Sequence, residues 1–405
     1  MEKQSDIRKF HQEGYTFSCI DMVKKDDKIW FSSREINGLF CIDIKKDESQ
    51  YISAFLSENE DETYLHGQCI LLEGQILFAP LYADKIALYD IAEKKFVMSE
   101  KFEETVIGEY MSVIHFHNCI YFLPFQKQNE IIMKLNLQKN AIEYINNWLN
   151  KFDLDEKTDS LFREWCIVDH FLYAPVQSAY GQVMEYDLKT DEIRCLQITE
   201  RDHFKAICHD GDELYLVSGN ALFQWNRNTE SCGKKVLELQ ADVEINKVIF
   251  QNGCIILFSN NPAGTEMPDM IVGYDVVTKE QIFFANELMK NEKQQSINSK
   301  LSHIYSVVQE KENDKIWVLN STGKILYEIQ TKERTVKKHF INGVDAKAIY
   351  IQKFRERKNS HMDRFVENGV VENELELYLK EKGRNENMTV QSKKIGEIIW
   401  NEIKK

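Results

Sequence analysis

The segment Lys28-Ile29-Trp30-Phe31 is the first copy of a short pattern that decides the fold of this chain. Each copy places three or four apolar residues, in six of the seven copies including an aromatic one, next to a turn. The six further copies are Gln75-Ile76-Leu77-Phe78, Cys119-Ile120-Tyr121-Phe122, Phe171-Leu172-Tyr173-Ala174, Glu213-Leu214-Tyr215-Leu216, Cys254-Ile255-Ile256-Leu257 and Lys315-Ile316-Trp317-Val318. Successive copies lie 47, 44, 52, 42, 41 and 61 residues apart. The spacing indicates that one strand-containing unit is repeated seven times.

A second strand pattern supports the same unit. Each copy is followed by a strand that closes in an apolar or aromatic residue and a turn residue, namely Asp43, Asp90, Asn136, Asp187, Asn226 and Asp275, with Glu328 in the seventh copy. Asp and Asn side chains cap the turn that follows them, so a fourth strand is expected to return along the third. Segments 50–55 and 335–340 are such fourth strands. The seventh turn is less well defined, because Glu328 replaces the capping residue.

Four antiparallel strands repeated at this interval are typical of a β-propeller. Over residues 15–341 the pattern resembles the seven-bladed β-propeller superfamily, which includes WD40, kelch and quinoprotein-like members. The resemblance is architectural: the Gly-His and Trp-Asp dipeptides of WD40 do not recur, and the Gly-Gly pairs of kelch are absent. It implies a fold and no particular activity.

The expected fold class is therefore all-β: a seven-bladed propeller of four-stranded antiparallel blades over residues 1–354. The blades are predicted to start near residues 15, 65, 109, 162, 203, 244 and 301. Residues 355–405 are predicted to form a short helical extension, and segment 286–300 a surface helix. Segment 345–353 echoes an inner strand, and either adds a strand to the ring or begins a vestigial blade.

Charge and cysteine content narrow the class of partner. The 405 residues carry 51 Lys+Arg against 65 Asp+Glu, a net charge of −14. Residues 355–405 hold 11 Lys+Arg and 10 Asp+Glu, so residues 1–354 carry −15. This acidity disfavours nucleic acid and anionic membranes as partners.

The first residues lack the apolar core of a signal peptide, and the nine cysteines lie singly in apolar runs, so we expect reduced thiols and a cytoplasmic location. The sequence leaves the oligomeric state open.

Propellers bind mainly at the face where the first strands of the blades begin. We align those strands on Cys19, Cys69, Val113, Cys166, Ile207, Val248 and Val307, and expect the residues two and three positions earlier to ring the mouth of the central channel. The candidate ligand-binding residues there are His66, Tyr110, Arg163, Glu164, Lys205, Asn246 and Tyr305. Loops after Pro80 and Pro175 add Tyr82 and Tyr180. The simpler interpretation is that these are ordinary strand ends and that proline only ends a strand.

No sequence motif indicates a particular chemistry. No catalytic motif or phosphate-binding glycine loop occurs, and His115 and His117 lack a third metal ligand nearby, so neither a cofactor nor a metal is expected. The favoured hypothesis is a non-catalytic binding or scaffold propeller that recognises a protein, a peptide or a small polar ligand at the channel mouth. The alternative is an enzyme, a hydrolase or lyase, acting on a small polar or glycan-like substrate in the channel. Arg163, Glu164, His66 and Lys205 would surround that substrate.

Overall fold

A computed structural model shows the protein as seven four-stranded antiparallel sheets arranged in a ring. It describes residues 17–55, 58, 63–97, 109–139, 141–156, 159–177, 179–240, 243–260, 270–284, 306–319, 323 and 325–342. Each sheet is one blade of four consecutive strands, and the first strand of each blade faces the central channel. The predicted all-β, seven-bladed propeller is confirmed.

The strands fall into seven sets of four in chain order. Blades 1 to 4 comprise β1 Val23–Lys25, β2 Lys28–Ser32, β3 Leu39–Asp43, β4 Glu48–Ser53; β5 His66–Leu72, β6 Gln75–Pro80, β7 Ala87–Asp90, β8 Lys95–Phe96; β9 Tyr110–Phe116, β10 Cys119–Pro124, β11 Ile132–Asn136, β12 Ala141–Ile145; and β13 Cys166–Val168, β14 Phe171–Pro175, β15 Gln182–Asp187, β16 Ile193–Gln197. Blades 5 to 7 comprise β17 Ala206–Asp210, β18 Glu213–Ser218, β19 Ala221–Asn226, β20 Lys234–Glu238; β21 Glu244–Gln251, β22 Cys254–Asn260, β23 Met270–Asp275, β24 Gln281–Phe283; and β25 Ser306–Glu310, β26 Lys315–Leu319, β27 Ile325–Gln330, β28 Thr335–Phe340. Short 3-10 turns cover Lys127–Asn129, Leu149–Lys151 and Lys311–Asn313.

The repeat seen in the sequence has the predicted phase. All seven second strands begin at the first residue of the quoted tetrapeptides. The predicted turn caps form as well: the Asp187 carboxylate, for example, accepts hydrogen bonds from the Lys189 and Thr190 amides at 2.8 and 3.3 Å. In blade 7, β27 runs on past Glu328, and that side chain instead bonds to Lys315 and His339. Local side-chain chemistry therefore sets six of the seven turns.

Apolar cores fill the spaces between neighbouring blades. Between blades 3 and 4, Trp148 stacks on Phe162 with ring centroids 5.2 Å apart, and both are buried. Each blade uses only its own consecutive strands, so blades 7 and 1 meet through side chains and one short backbone contact. That contact is a parallel bridge in which the Ser49 amide donates to the Asn342 carbonyl at 3.1 Å. The ring thus closes without a strand shared between its two ends in the described residues.

Other sequence predictions concern features outside these blades. The predicted helix in 286–300, the segment 345–353 and the extension 355–405 lie outside the described residues. The chain divides after Lys347, and every described residue belongs to the first part. Among the described helices, none has the length and apolarity needed to cross a membrane. All nine cysteines are free thiols, six of them buried.

Candidate functional site

Backbone pairing between the first two strands of each blade shows which residues share a level of the channel. In every blade, the third residue of the second-strand tetrapeptide pairs with one residue of the first strand. In blades 1 to 7 these first-strand partners are Val23, Ile70, Ile114, Cys166, Cys208, Ile249 and Val308. The residues two positions before these partners in the chain also share one level of the channel. They are Asp21, Gln68, Ser112, Glu164, Ala206, Lys247 and Ser306. Six of the seven carry polar side chains on otherwise apolar strands. We call this set the polar layer.

This register corrects the alignment made from sequence. Five blades are aligned as predicted, but Met22 and Trp165 stand at the level of Cys69, where Cys19 and Cys166 were expected. The apolar pattern could not show which residue of these two first strands belongs at this level. Cys19 and Cys166 are buried, as the pattern predicts, but they are buried at other levels of their strands. Among the described residues, the level just before the polar layer, here called the mouth level, therefore holds Ile20, Gly67, Met111, Arg163, Lys205 and Asn246.

The polar layer is bonded across the channel. The Lys247 ammonium lies 3.1 Å from a Glu164 carboxylate oxygen. The Gln68 side-chain amide donates to the Arg163 carbonyl at 3.0 Å and accepts from the Trp165 indole at 2.8 Å. These contacts join blade 4 to blades 6 and 2, which are not its neighbours in a ring of seven. These contacts therefore reach past the intervening blades 3 and 5 through the channel, and blade 4 takes part in all of them.

Asp21 is the second carboxylate near Lys247. Its Oδ2 accepts a hydrogen bond from the Cys69 amide at 3.1 Å. Burial raises the pKa of Asp21 to about 6, and the attraction of Lys247 only partly opposes this. Burial alone would lower the pKa of Lys247, but Glu164 and Asp21 outweigh it and hold the pKa above the ordinary lysine value. The layer thus contains Lys247, which stays charged, close to the two carboxyl groups of Glu164 and Asp21. Of these, Asp21 has a pKa of about 6.

At the mouth level, three polar residues come from the consecutive blades 4, 5 and 6. Lys205 forms an ion pair with Glu244. Arg163 Nε and Asn246 Nδ2 are buried and have no hydrogen-bond partner within the described part of the chain. Burial lowers the pKa of Arg163, although Glu164 and Glu244 attract its charge. Asn246 occupies a β-bulge between Ile245 and Lys247, a device that redirects side chains at functional sites.

Blade 1 contributes a second polar group in the loop between its second and third strands. Arg34 is buried, and one of its terminal nitrogens donates to the Tyr64 hydroxyl at 2.8 Å. Its Nε lacks a partner among the described residues. Tyr64 has φ 56°, a left-handed conformation that is rare for a bulky residue. Burial also raises the pKa of the neighbouring Glu35, despite the attraction of Arg34 and a hydrogen bond from the Ser18 amide at 3.0 Å.

Two predicted site residues lie inside the cores between blades. The His66 ring is 3% exposed and packs 4.1 Å from Phe55, and burial lowers its pKa to about 3. It is therefore neutral, with Nδ1 2.9 Å from the Ser32 hydroxyl. Tyr110 is fully buried beside Phe122. Neither side chain is accessible from the channel mouth.

The remaining predicted residues are divided between the channel and the loops. Arg163, Glu164, Lys205 and Asn246 are brought together around blades 4 to 6. Tyr180 is 43% exposed, with its ring centroid 4.1 Å from that of His203, and Tyr82 is half-buried in its loop. Tyr305 lies outside the described residues.

The sequence interpretation missed five polar residues of the polar layer: Asp21, Gln68, Ser112, Lys247 and Ser306. In blades 2, 3, 6 and 7 their signal was one polar residue directly before the aligned apolar position, whereas Asp21 lies in blade 1, where the predicted alignment was shifted. No group of three or more His, Cys, Asp or Glu side chains in the described ranges is placed to hold a metal ion.

Comparison with known proteins extends to the fold. No protein-family model matches the chain, and no curated protein matches it. Among solved structures, it is similar to the extracellular domain of a protein assigned as the hybrid two-component system BT4673 from B. thetaiotaomicron, with TM-score 0.55, 10% identity and 81% of this chain covered. The likeness shows the propeller fold and nothing finer.

The chain spans about half of that neighbour, 46% of its length. It is also similar to Hsv2 from Kluyveromyces lactis, with TM-score 0.47, 10% identity, 80% of this chain and 98% of that chain covered.

Proposed function

We propose that this propeller is a non-catalytic binding module whose channel mouth holds a small polar ligand, or a polar side chain of a protein partner. The observation that carries the proposal is the pair of buried donors Arg163 Nε and Asn246 Nδ2, which have no partner within the described residues. A buried donor left unpaired costs about 1–3 kcal/mol, so an acceptor is expected there. Both donors lie at the mouth level, two blades apart. Acceptor oxygens of a bound ligand would satisfy both.

The charges around these two donors indicate what kind of ligand would bind there. Arg163, Lys205 and Lys247 face Glu164, Glu244 and Asp21, so the two signs balance. A site in which the two signs balance favours a small molecule that carries both, or a single polar side chain, over a highly charged polymer. The net charge of −14 of the whole chain argues in the same direction.

The experiment is isothermal titration of the purified chain with four probes: citrate, glucuronate, glutamate and the dipeptide Gly-Glu. We expect at least one to bind, and Arg163→Gln to weaken it by about tenfold or more, since a hydrogen bond to a charged group is lost. The matched control is Arg201→Gln, which changes an exposed arginine in the loop between blades 4 and 5. Unchanged affinity in Arg163→Gln, or binding of none of the probes, would reject the proposal.

One observation favours the enzyme as a second candidate. A carboxyl group with a pKa of about 6 in a polar channel, such as Asp21, has the acidity expected of a general acid or base near neutral pH. Glu164, across Lys247, would supply the second carboxylate of a hydrolase or lyase. The test is turnover of a panel of nitrophenyl glycosides and of polygalacturonate. Turnover that Asp21→Asn abolishes would support an enzyme, and no turnover of either substrate class would reject this candidate.

A further inference from the structure

The loop between β2 and β3 of blade 1 contains a buried arginine without a carboxylate in contact. Arg34 is 8% exposed, and no ion pair joins it to a carboxylate within the described residues. Its guanidinium donates to the Tyr64 hydroxyl at 2.8 Å, and its buried Nε has no partner in the same part of the chain. Burial alone would lower the pKa of Arg34, but Tyr64 and Glu35 outweigh it, so the side chain stays charged. A buried cation with an unpaired N–H is costly unless an acceptor joins it.

Glu35, the next residue in the chain, does not supply that acceptor. Its Oε1 accepts from the Ser18 hydroxyl at 2.5 Å. Its Oε2 accepts from the Ser18 amide and from the Ser33 hydroxyl, each at 3.0 Å. Glu35 therefore contributes a negative charge near Arg34 while both of its oxygens are bonded to serines, and the N–H of Arg34 Nε stays unpaired.

Tyr64 brings a second donor next to the guanidinium. The Arg34 Cζ lies 5.0 Å from the centroid of the Tyr64 ring, and the Tyr64 amide donates to the Arg34 carbonyl at 2.9 Å. Because the hydroxyl of Tyr64 accepts from Arg34, its own hydrogen is left for another acceptor, and the described residues offer none. The φ of 56° at Tyr64 is a strained conformation of the kind that binding sites maintain.

The two donors lie on the face of the channel mouth, in a sector of their own. The Arg34 amide donates to the Ser18 carbonyl at 2.9 Å, and Ser18 precedes the mouth-level residue Ile20 by two positions. The backbone bonds from Arg34 to Ser18 and from Tyr64 to Arg34 hold both side chains in place without a ligand. Such preorganisation lowers the cost of binding.

We propose that Arg34 and Tyr64 form a binding site for a carboxylate group, carried by a small molecule or by a protein partner. One carboxylate oxygen would accept from Arg34 Nε and the other from the Tyr64 hydroxyl. A guanidinium matches a carboxylate in this two-point geometry. Because Glu35 already places one negative charge nearby, a singly charged carboxylate is favoured over a doubly charged phosphate. The site shares no residue with the one proposed at the channel mouth, so neither proposal rests on the other.

The test follows the arginine Nε–H signals of the nitrogen-labelled chain by NMR. The chain is titrated with sodium acetate and, separately, with inorganic phosphate at constant ionic strength. The signal of Arg34 is assigned by its absence from Arg34→Lys. We expect acetate to shift this signal along a saturable curve and to bind there more tightly than phosphate. The signal of Arg163 reports separately on the channel mouth, so failure of one site is distinguished from failure of the other.

A second variant tests the role of the hydroxyl. Tyr64→Phe removes one donor and keeps the ring, and should weaken acetate binding at Arg34 about tenfold or more, because a hydrogen bond to a charged group is lost. The matched control is Tyr144→Phe, which changes an exposed tyrosine on β12 of blade 3 and should leave the affinity unchanged. If Arg34→Lys does not fold, the signal displaced in Tyr64→Phe identifies Arg34.

Three results would overturn the proposal. They are an Arg34 signal that acetate does not move, tighter binding of phosphate than of acetate, and equal acetate affinity in Tyr64→Phe and the wild type.

Discussion

Replacing Asp21 with asparagine tests whether the polar layer holds a carboxyl group that resists ionisation. Asparagine keeps the shape of the side chain and can still accept the hydrogen bond from the Cys69 amide. It removes the negative charge that burial disfavours. Lys247 keeps its contact with Glu164 at 3.1 Å, so the cation is not left alone.

The magnitude follows from the shift in acidity. The pKa of Asp21 rises from 3.8 to about 6 on folding, a difference worth on the order of 3 kcal/mol. Because the folded value is the higher one, the folded state binds more protons between these two pH values. The stability that Asp21 contributes at low pH is therefore lost as the pH rises towards 6, and Asp21→Asn removes that loss.

The assay is thermal unfolding of both proteins in steps from pH 4 to pH 7.5. Relative to the wild type, the midpoint of Asp21→Asn should rise by roughly 5 °C across this range. Asp210→Asn, an exposed carboxyl at the end of the first strand of blade 5, serves as the control and should show no such trend. A constant difference between Asp21→Asn and wild type, or one that shrinks as the pH rises, would refute the reasoning. The first result would mean that the attraction of Lys247 equals the effect of burial on the pKa of Asp21, and the second that it exceeds it.

Two further substitutions test packing and bonding at the same levels. Gly67→Ala should lower stability by about 2–3 kcal/mol in thermal unfolding, because its Cβ would lie 2.3 Å from the Met111 carbonyl oxygen. Gly211→Ala, with φ +60° and open space around it, should cost only about 1 kcal/mol, and equal losses would contradict the packing argument. Trp165→Phe should cost about 1–2 kcal/mol, since the cross-channel amide oxygen loses its indole donor. Trp225→Phe removes an indole N–H that is unpaired within the described chain, so a similar loss there would show that ring size rather than the bond matters.

The fold was predictable because its signals are local. The second strands carry their own apolar tetrapeptides, and a residue such as Asp187 bonds to amides two and three positions later. Neither signal depends on another blade. Glu328, the one departure from the turn pattern, is also the one position where the third strand runs past its predicted end.

The candidate site was less predictable because it depends on contacts between distant blades. First strands of blades 2, 3 and 6 contain a bulge near the channel mouth, and one extra residue reverses the alternation of faces. The side of the strand on which a residue such as His66 lies therefore cannot be read from the spacing. The partners of Gln68 and Lys247 are on blade 4, and only ring closure brings them together.

The bonds across the channel also have a kinetic consequence. They join residues 95 and 97 positions apart in the chain, and the contact between Ser306 and Cys19 spans 287 positions. Strand pairs within a blade form over far shorter loops, so they can assemble before the channel exists. We therefore expect the polar layer to form late in folding, after the main barrier. Substitutions in it are expected to speed unfolding while leaving the folding rate nearly unchanged.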